Sequence, residues 1–147
     1  MIHSVMHRLH NPDLGILLLR VALGVVFVFH GWQKIGSMEQ TIGFFGSIGI
    51  PVFLTYVAAY TEFLGGLLLI IGLFVRYAGV LLAITMTVAV FLVHFKNGFS
   101  LANGGYEYAL ALLLGSLALV FTGSGKYSVA HHAPVCKECE VGSVPMM

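Results

Sequence analysis

Residues 51–75 read PVFLTYVAAYTEFLGGLLLIIGLFV, an apolar run broken by one carboxylate, Glu62. At about 1.5 Å of rise per residue, Glu62 lies about 15 Å beyond Val52, roughly half of a ~30 Å hydrocarbon core. The spacing predicts a membrane helix with an acid at the bilayer midplane. Ala58, Ala59, Gly65 and Gly66 stand three and four residues away on either side, so the carboxylate shares its face with small residues. Such faces pack against other helices, and a bare carboxylate in lipid is costly. Glu62 is therefore expected to point into a bundle and to meet a partner there.

Three further apolar runs flank this one, at residues 14–32, 77–95 and 106–122. Over 147 residues the chain is 59% hydrophobic and 9% charged, against about 25% charged in soluble domains. It is expected to be all-α, an integral membrane antiparallel four-helix bundle, multi-pass in the cell's inner (plasma) membrane with the lipid bilayer around it. Residues 1–13 form an N-terminal tail, residues 14–128 the membrane domain and residues 129–147 a C-terminal tail. A formal net charge of +1 carries no message about acidic partners and gives no footing for nucleic acid. The amino terminus has the basic and polar residues of a signal peptide, but the apolar run behind it is long, contains Arg20 and lacks a small-residue cleavage site, which predicts a retained first helix. Arg8, Arg76, Lys126 and Lys137 fall on one side of the bundle and Lys34 and Lys96 on the other, placing both termini in the cytoplasm.

Asn11, Pro12 and Asp13 carry the cap, first-turn and dipole signals of a helix start. Arg20 enters the first run early, so its side chain either snorkels back to the cytoplasmic surface or reaches inward as the partner of Glu62. His30 and Lys34, four apart, share a face at the far end of that helix. Residues 36–50 are Gly-rich but carry Ile42, Phe44, Phe45 and Ile48, which suggests a segment lying in the outer interface. Their glycines follow no strand, so a phosphate loop is rejected. Helix two is expected to run from Pro51 to Arg76. His94 ends the third run, and Asn103, Tyr106 and Glu107 stand at the entry to the fourth.

Traced through an up-down-up-down bundle, these residues bring His30, Lys34, His94, Asn103, Tyr106 and Glu107 to the outer half of one core, with Glu62 as the floor. Such a pocket suits a small ligand with hydrogen-bonding oxygens and can carry protons. Each member also has a plainer reading: histidine and lysine as interfacial anchors, Arg20 and Arg76 as structural cations, Glu107 as an acid favouring a helix N-terminus.

The tail gives a separate signal. HHAPVCKEC places His131 and His132 before a C-x-x-C pair, Cys136 and Cys139, the chain's two cysteines. On the cytoplasmic side that pattern points to thiol redox chemistry or a soft-metal site, with His3, Met6, His7 and His10 as further ligands, or else to an incidental pair in a loose tail.

LLLRVALGVVFVFHGWQKIG, AAYTEFLGGLLLIIGLFVR, VHFKNGF and NGGYEYALALLL, in this order and spacing, resemble the DoxX family of small four-helix membrane proteins, named with the DoxD subunit of thiosulfate:quinone oxidoreductase. The resemblance covers roughly residues 14–128 and leaves out the HHAPVCKEC tail. It implies a membrane subunit working near the quinone pool or in a redox or detoxification complex. Carried over by motif, Arg20, His30, Lys34, Glu62, His94, Asn103, Tyr106 and Glu107 are the positions it marks.

Three functions compete at this level. The first is an oxidoreductase subunit holding a quinone or another lipophilic redox compound, with His30 and Lys34 on a ligand oxygen and Glu62 exchanging a proton, and with electrons passing through a redox partner protein or a bound cofactor. Paired His30 and His94 are in principle haem ligands, a variant of the same reading. The second is a non-catalytic scaffold or a metal-handling module using the His, Met and Cys tails. The third, transport of a small polar solute, asks for more helices than one chain supplies and so for a homo-oligomer.

Overall fold

The computed structural model describes the backbone of residues 11–132 and the side chains of residues 11–130. Among the described residues the chain is all-helical, without a strand. Helix α1 spans Pro12–Gly36. Its start follows the sequence signal: Asn11 Oδ1 accepts from the Leu14 amide at 3.2 Å, Pro12 occupies the first turn, and Asp13 sits by the positive end of the helix. Helix α2, Met38–Ser47, turns the expected interfacial segment into a short helix carrying Phe44 half exposed at its edge. Helix α3 is Val52–Ile71 and helix α4 is Val75–Val88. From Val88 the chain continues through a π-helical turn, Ala89–His94, and a 3₁₀ turn, Phe95–Asn97. A second 3₁₀ turn, Leu101–Asn103, leads into helix α5, Glu107–Thr122, and the four-residue α6, Val129–His132, follows.

Helix α1, helix α3 and the continuous helical stretch Val75–Asn97 are long and apolar enough to cross a membrane. Helix α5 is apolar but has 16 residues, about 24 Å of rise, less than a full ~30 Å core. The second helix stops earlier than its expected end at Arg76. Gly72 takes φ +80°, so its amide and that of Leu73 both return to the Leu68 carbonyl and close the helix at Ile71. Arg76 then belongs to the first turn of α4.

The four longer helices form a ring. α1 packs most extensively on α3, and α4 on α5, while α3–α4 and α1–α5 contacts close it. Leu23, Phe27, Leu69, Leu82, Met86, Leu112 and Leu119 fill the centre, and Phe29, Trp32, Phe53 and Phe121 face outward. Between lipid-facing helices the association comes from close packing rather than from hydrophobicity. The α1–α3 seam shows it: a Cβ on Gly66 would lie 2.7 Å from the backbone oxygen of Gly24 and the backbone nitrogen of Val28. Of the small residues around Glu62, Gly66 thus meets the α1 backbone and Gly65 meets the Leu82 side chain of α4, and Ala59, Gly65 and Gly66 are all buried.

Arg20 is 1% exposed and does not reach Glu62. Its guanidinium donates to the carbonyls of Ser124 and, at 2.9 Å, Tyr127, and it lies against Gly72. The cation therefore sits where α3 and α5 end, beside the negative poles of both. The reason is directional. Side chains on a helix lean toward its N-terminus, so Arg20 leans away from the level of Glu62, which is set by the contact of Gly31 with Phe63. Eleven residues of helix, about 16 Å, separate Arg20 from Gly31. Asp13 fastens the same end, accepting from the Lys126 amide at 3.0 Å and standing 3.7 Å from Lys126 Nζ.

Candidate functional site

Glu62 is 1% exposed at the centre of α3 and pairs with Lys34, whose Nζ donates to both carboxylate oxygens. The same directional rule explains this choice. Near the C-terminal end of α1, Lys34 leans back toward the bundle centre, while Glu62 on the antiparallel α3 leans toward the Lys34 end, so the two side chains converge. An ammonium has three donors. Two are used on Glu62, and the third remains for another acceptor.

The pair forms one wall of a cavity of about 320 Å³, lined also by Phe27, His30, Met86, Ala89, His94, Tyr108, Ala109 and Leu112. His30 comes from the same face of α1 as Lys34, and its ring meets that of Tyr108 edge-on, centroids 6.0 Å apart. His94 comes from the π-helical turn. There the hydrogen bonding runs to the fifth residue, so residues five apart fall on one face, and Ala89 and His94 line the cavity together. The Nδ1 of His94 is 2.8 Å from the Gly104 carbonyl, which also accepts from Asn97 Nδ2 at 3.2 Å. A second cavity of about 400 Å³ opens between α2 and the π-helical turn, lined by Ser37, Gln40, Thr41, Phe44, Phe45 and Val93. Lys34, Ala89 and His94 line both cavities and so form the partition between them.

Four of the residues marked by sequence converge here: Glu62, Lys34, His30 and His94. Four do not. Arg20 holds the opposite end of the bundle. Glu107 accepts from the Leu101 amide at 3.1 Å and so closes the 98–107 connection. Tyr106 stacks on Phe95, centroids 5.8 Å apart, and meets Phe99 edge-on. Asn103 is exposed in the 3₁₀ turn before α5. Tyr108, passed over in favour of its two polar neighbours, supplies the aromatic wall instead. A signal for it existed: Tyr108 stands one helical turn before the buried Leu112, although Tyr108 is itself 38% exposed. His131 and His132 end α6, but their side chains lie outside the described residues, as do Cys136, Cys139, His3, Met6, His7 and His10. Among the described residues no group of three or more His, Cys, Asp or Glu stands together as a metal-binding cluster.

Comparison with known proteins finds a family model and several curated relatives. The DoxX family model matches residues 15–95. A Bacillus subtilis protein named "Putative oxidoreductase CatD" is 46% identical over 112 residues, 76% of this chain and 81% of that protein. The inner membrane protein YqjF of Escherichia coli is 28% identical over 117 residues, 80% of this chain and 90% of that protein. An uncharacterized membrane protein of Mycobacterium tuberculosis is 32% identical over 128 residues, 78% of each chain. No solved structure matches the chain.

Proposed function

This chain belongs to the DoxX family of membrane proteins, and on that premise we propose that it is a membrane oxidoreductase subunit holding a quinone, or a similar lipophilic redox compound, in the Lys34–Glu62 cavity. The observation that carries the reading is the buried ion pair on the cavity wall, with an unused ammonium donor and two histidines around it. A volume of about 320 Å³ is at the low end of ligand sites and suits a single ring. Phe27, Met86, Tyr108 and Leu112 supply apolar walls for that ring, and Lys34 supplies a donor for one of its oxygens. The name of the Bacillus subtilis relative points to the same class of chemistry.

A bound quinone supplies two-electron carrier chemistry, and the electrons are exchanged with a redox partner protein. The chain's own part is to hold the ring and to handle the proton. Lys34 orients the ligand oxygen and neutralises charge on it. Glu62, freed from Lys34 as that charge changes, gives up or receives one of the two protons that the two-electron change requires, and the other is exchanged with solvent. Shielding from water makes each of these interactions stronger than at a surface. In this reading α5 completes a four-helix bundle across the membrane, and the cavity opens toward the outer face, with Arg76 and Lys126 on the cytoplasmic side.

The test is an ultraviolet–visible spectrum of the detergent-purified protein, oxidised and reduced, with mass spectrometry of extracted ligands on the same sample. Quinone that co-purifies with the wild type and is lost in Glu62→Gln and Lys34→Gln supports the reading. A Soret band would turn His30 and His94 into haem ligands instead. A colourless protein that neither carries quinone nor binds it on addition would overturn the proposal and favour a scaffold.

A further inference from the structure

We infer that the cavity selects the reduced, hydroxyl-bearing form of its ring compound, and that His94 makes the selection. The inference deepens the proposed function and rests on it. Its basis is the contact between His94 Nδ1 and the Gly104 carbonyl, 2.8 Å long. A carbonyl oxygen only accepts, so Nδ1 carries the proton, and in the neutral ring Nε2 is left with a lone pair and no hydrogen. No described residue donates to that atom.

The Gly104 carbonyl is itself held. Gly104 takes φ +73° at the end of the Leu101–Asn103 turn, its amide bonded to the Leu101 carbonyl at 2.8 Å, and Asn97 donates to the same oxygen as His94. The Glu107 carboxylate closes the connection from the far side through the Leu101 amide. Residues 97–107 thus form a frame that fixes one tautomer of His94.

The cavity therefore carries a donor and an acceptor of fixed identity. Lys34 donates and accepts nothing, while Nε2 of His94 accepts and cannot donate. A hydroquinone satisfies both, because each hydroxyl can accept from an ammonium or donate to an imidazole nitrogen. A quinone satisfies Lys34 and turns a carbonyl lone pair toward the Nε2 lone pair, whereas His30 and the Tyr108 hydroxyl, whose hydrogens no described residue fixes, can serve either form. A site that requires a hydroxyl discriminates strongly against the analogue that lacks it.

The experiment compares binding of durohydroquinone, duroquinone and the dimethyl ether of durohydroquinone to the wild-type protein, anaerobically and at pH 8. The fully methylated ring leaves no position for addition of Cys136 or Cys139. Durohydroquinone is expected to bind about tenfold more tightly than duroquinone, the equivalent of one well-made hydrogen bond, and at least as far ahead of the ether. In His94→Phe the ratio of durohydroquinone to duroquinone affinity is expected to fall from about tenfold to about one. A wild-type measurement needs no variant to fold: duroquinone binding as tightly as durohydroquinone would overturn the selection and leave the quinone site standing. Failure of all three compounds to bind would overturn the quinone site as well. Nitrogen-15 spectra of His94 give an independent reading, with Nδ1 protonated and Nε2 moved by durohydroquinone; a protonated Nε2 with a bare Nδ1 would refute the tautomer assignment.

Discussion

The two ends of the bundle use buried polar groups in opposite ways. At one end Arg20 directs its guanidinium to two carbonyls that follow α5, beside the last turn of α3, while Asp13 takes the Lys126 amide. Those groups bond the chain's own backbone and hold helices together. At the other end Lys34 and His94 each use part of their capacity on the protein, on Glu62 and on Gly104, and keep part facing a cavity. Burial alone does not separate structure from function, since Arg20 and Glu62 are equally buried at 1% exposure. What separates them is the partner: Arg20 bonds backbone carbonyls, whereas Glu62 bonds a second charged side chain, Lys34.

Substitutions can break or sharpen that division. The largest effect is expected from Lys34→Met, which strands the Glu62 carboxylate and should cost about 3–5 kcal/mol, read as a lowered thermal midpoint in detergent. The double variant Lys34→Met with Glu62→Leu should recover most of that stability and none of the ligand binding. If the double variant bound ligand normally, the pair would be structural and the two ends alike. Next comes Arg20→Met, which removes two charge-assisted hydrogen bonds at a cost of about 2–4 kcal/mol. Ligand affinity measured below its melting point should not change; a loss there would join the two ends into one functional unit. Gly66→Ala should cost about 1–3 kcal/mol by forcing α1 off α3, and because Glu62 rides on α3, co-purified ligand should fall with it. The smallest change is expected from Glu107→Gln, about 0.5–1 kcal/mol from the weakened bond to the Leu101 amide. Ligand should be retained, which a direct role for Glu107 in binding would contradict.

Much of this was legible in the sequence. The Asn11–Pro12–Asp13 start, three of the long apolar helices and the small-residue face around Glu62 follow from local spacing, and local spacing survives folding. Four of the polar residues that meet at the cavity were also visible, because His30 and Lys34 are one turn apart and Glu62 and His94 interrupt apolar runs. The partner of Glu62 was harder to see, because it depends on how far α1 and α3 are offset, which the glycine contacts decide. The lean of side chains toward a helix N-terminus would still have favoured Lys34 over Arg20. Two features left no local mark. The widened turn at Ala89–His94 re-aims His94 within a run that reads as ordinary helix. The bond of Glu107 to Leu101 depends on the fold of a Gly-rich connection whose path no periodicity records.

The Arg20 clamp also sets a timetable for biosynthesis. Arg20 and its acceptors, Ser124 and Tyr127, are 104 and 107 residues apart, whereas Lys34 and Glu62 are separated by 28. At ribosomal speeds of about 5–20 residues per second, Lys34 waits about 1–6 s for its partner and Arg20 about 5–20 s. The nascent first helix thus carries an unmatched guanidinium until the last helix emerges, and the lock between first and last helices closes as a final step. Cross-linking of ribosome-stalled chains between positions 20 and 127 would time that step, with contact expected only once the entire bundle has left the exit tunnel.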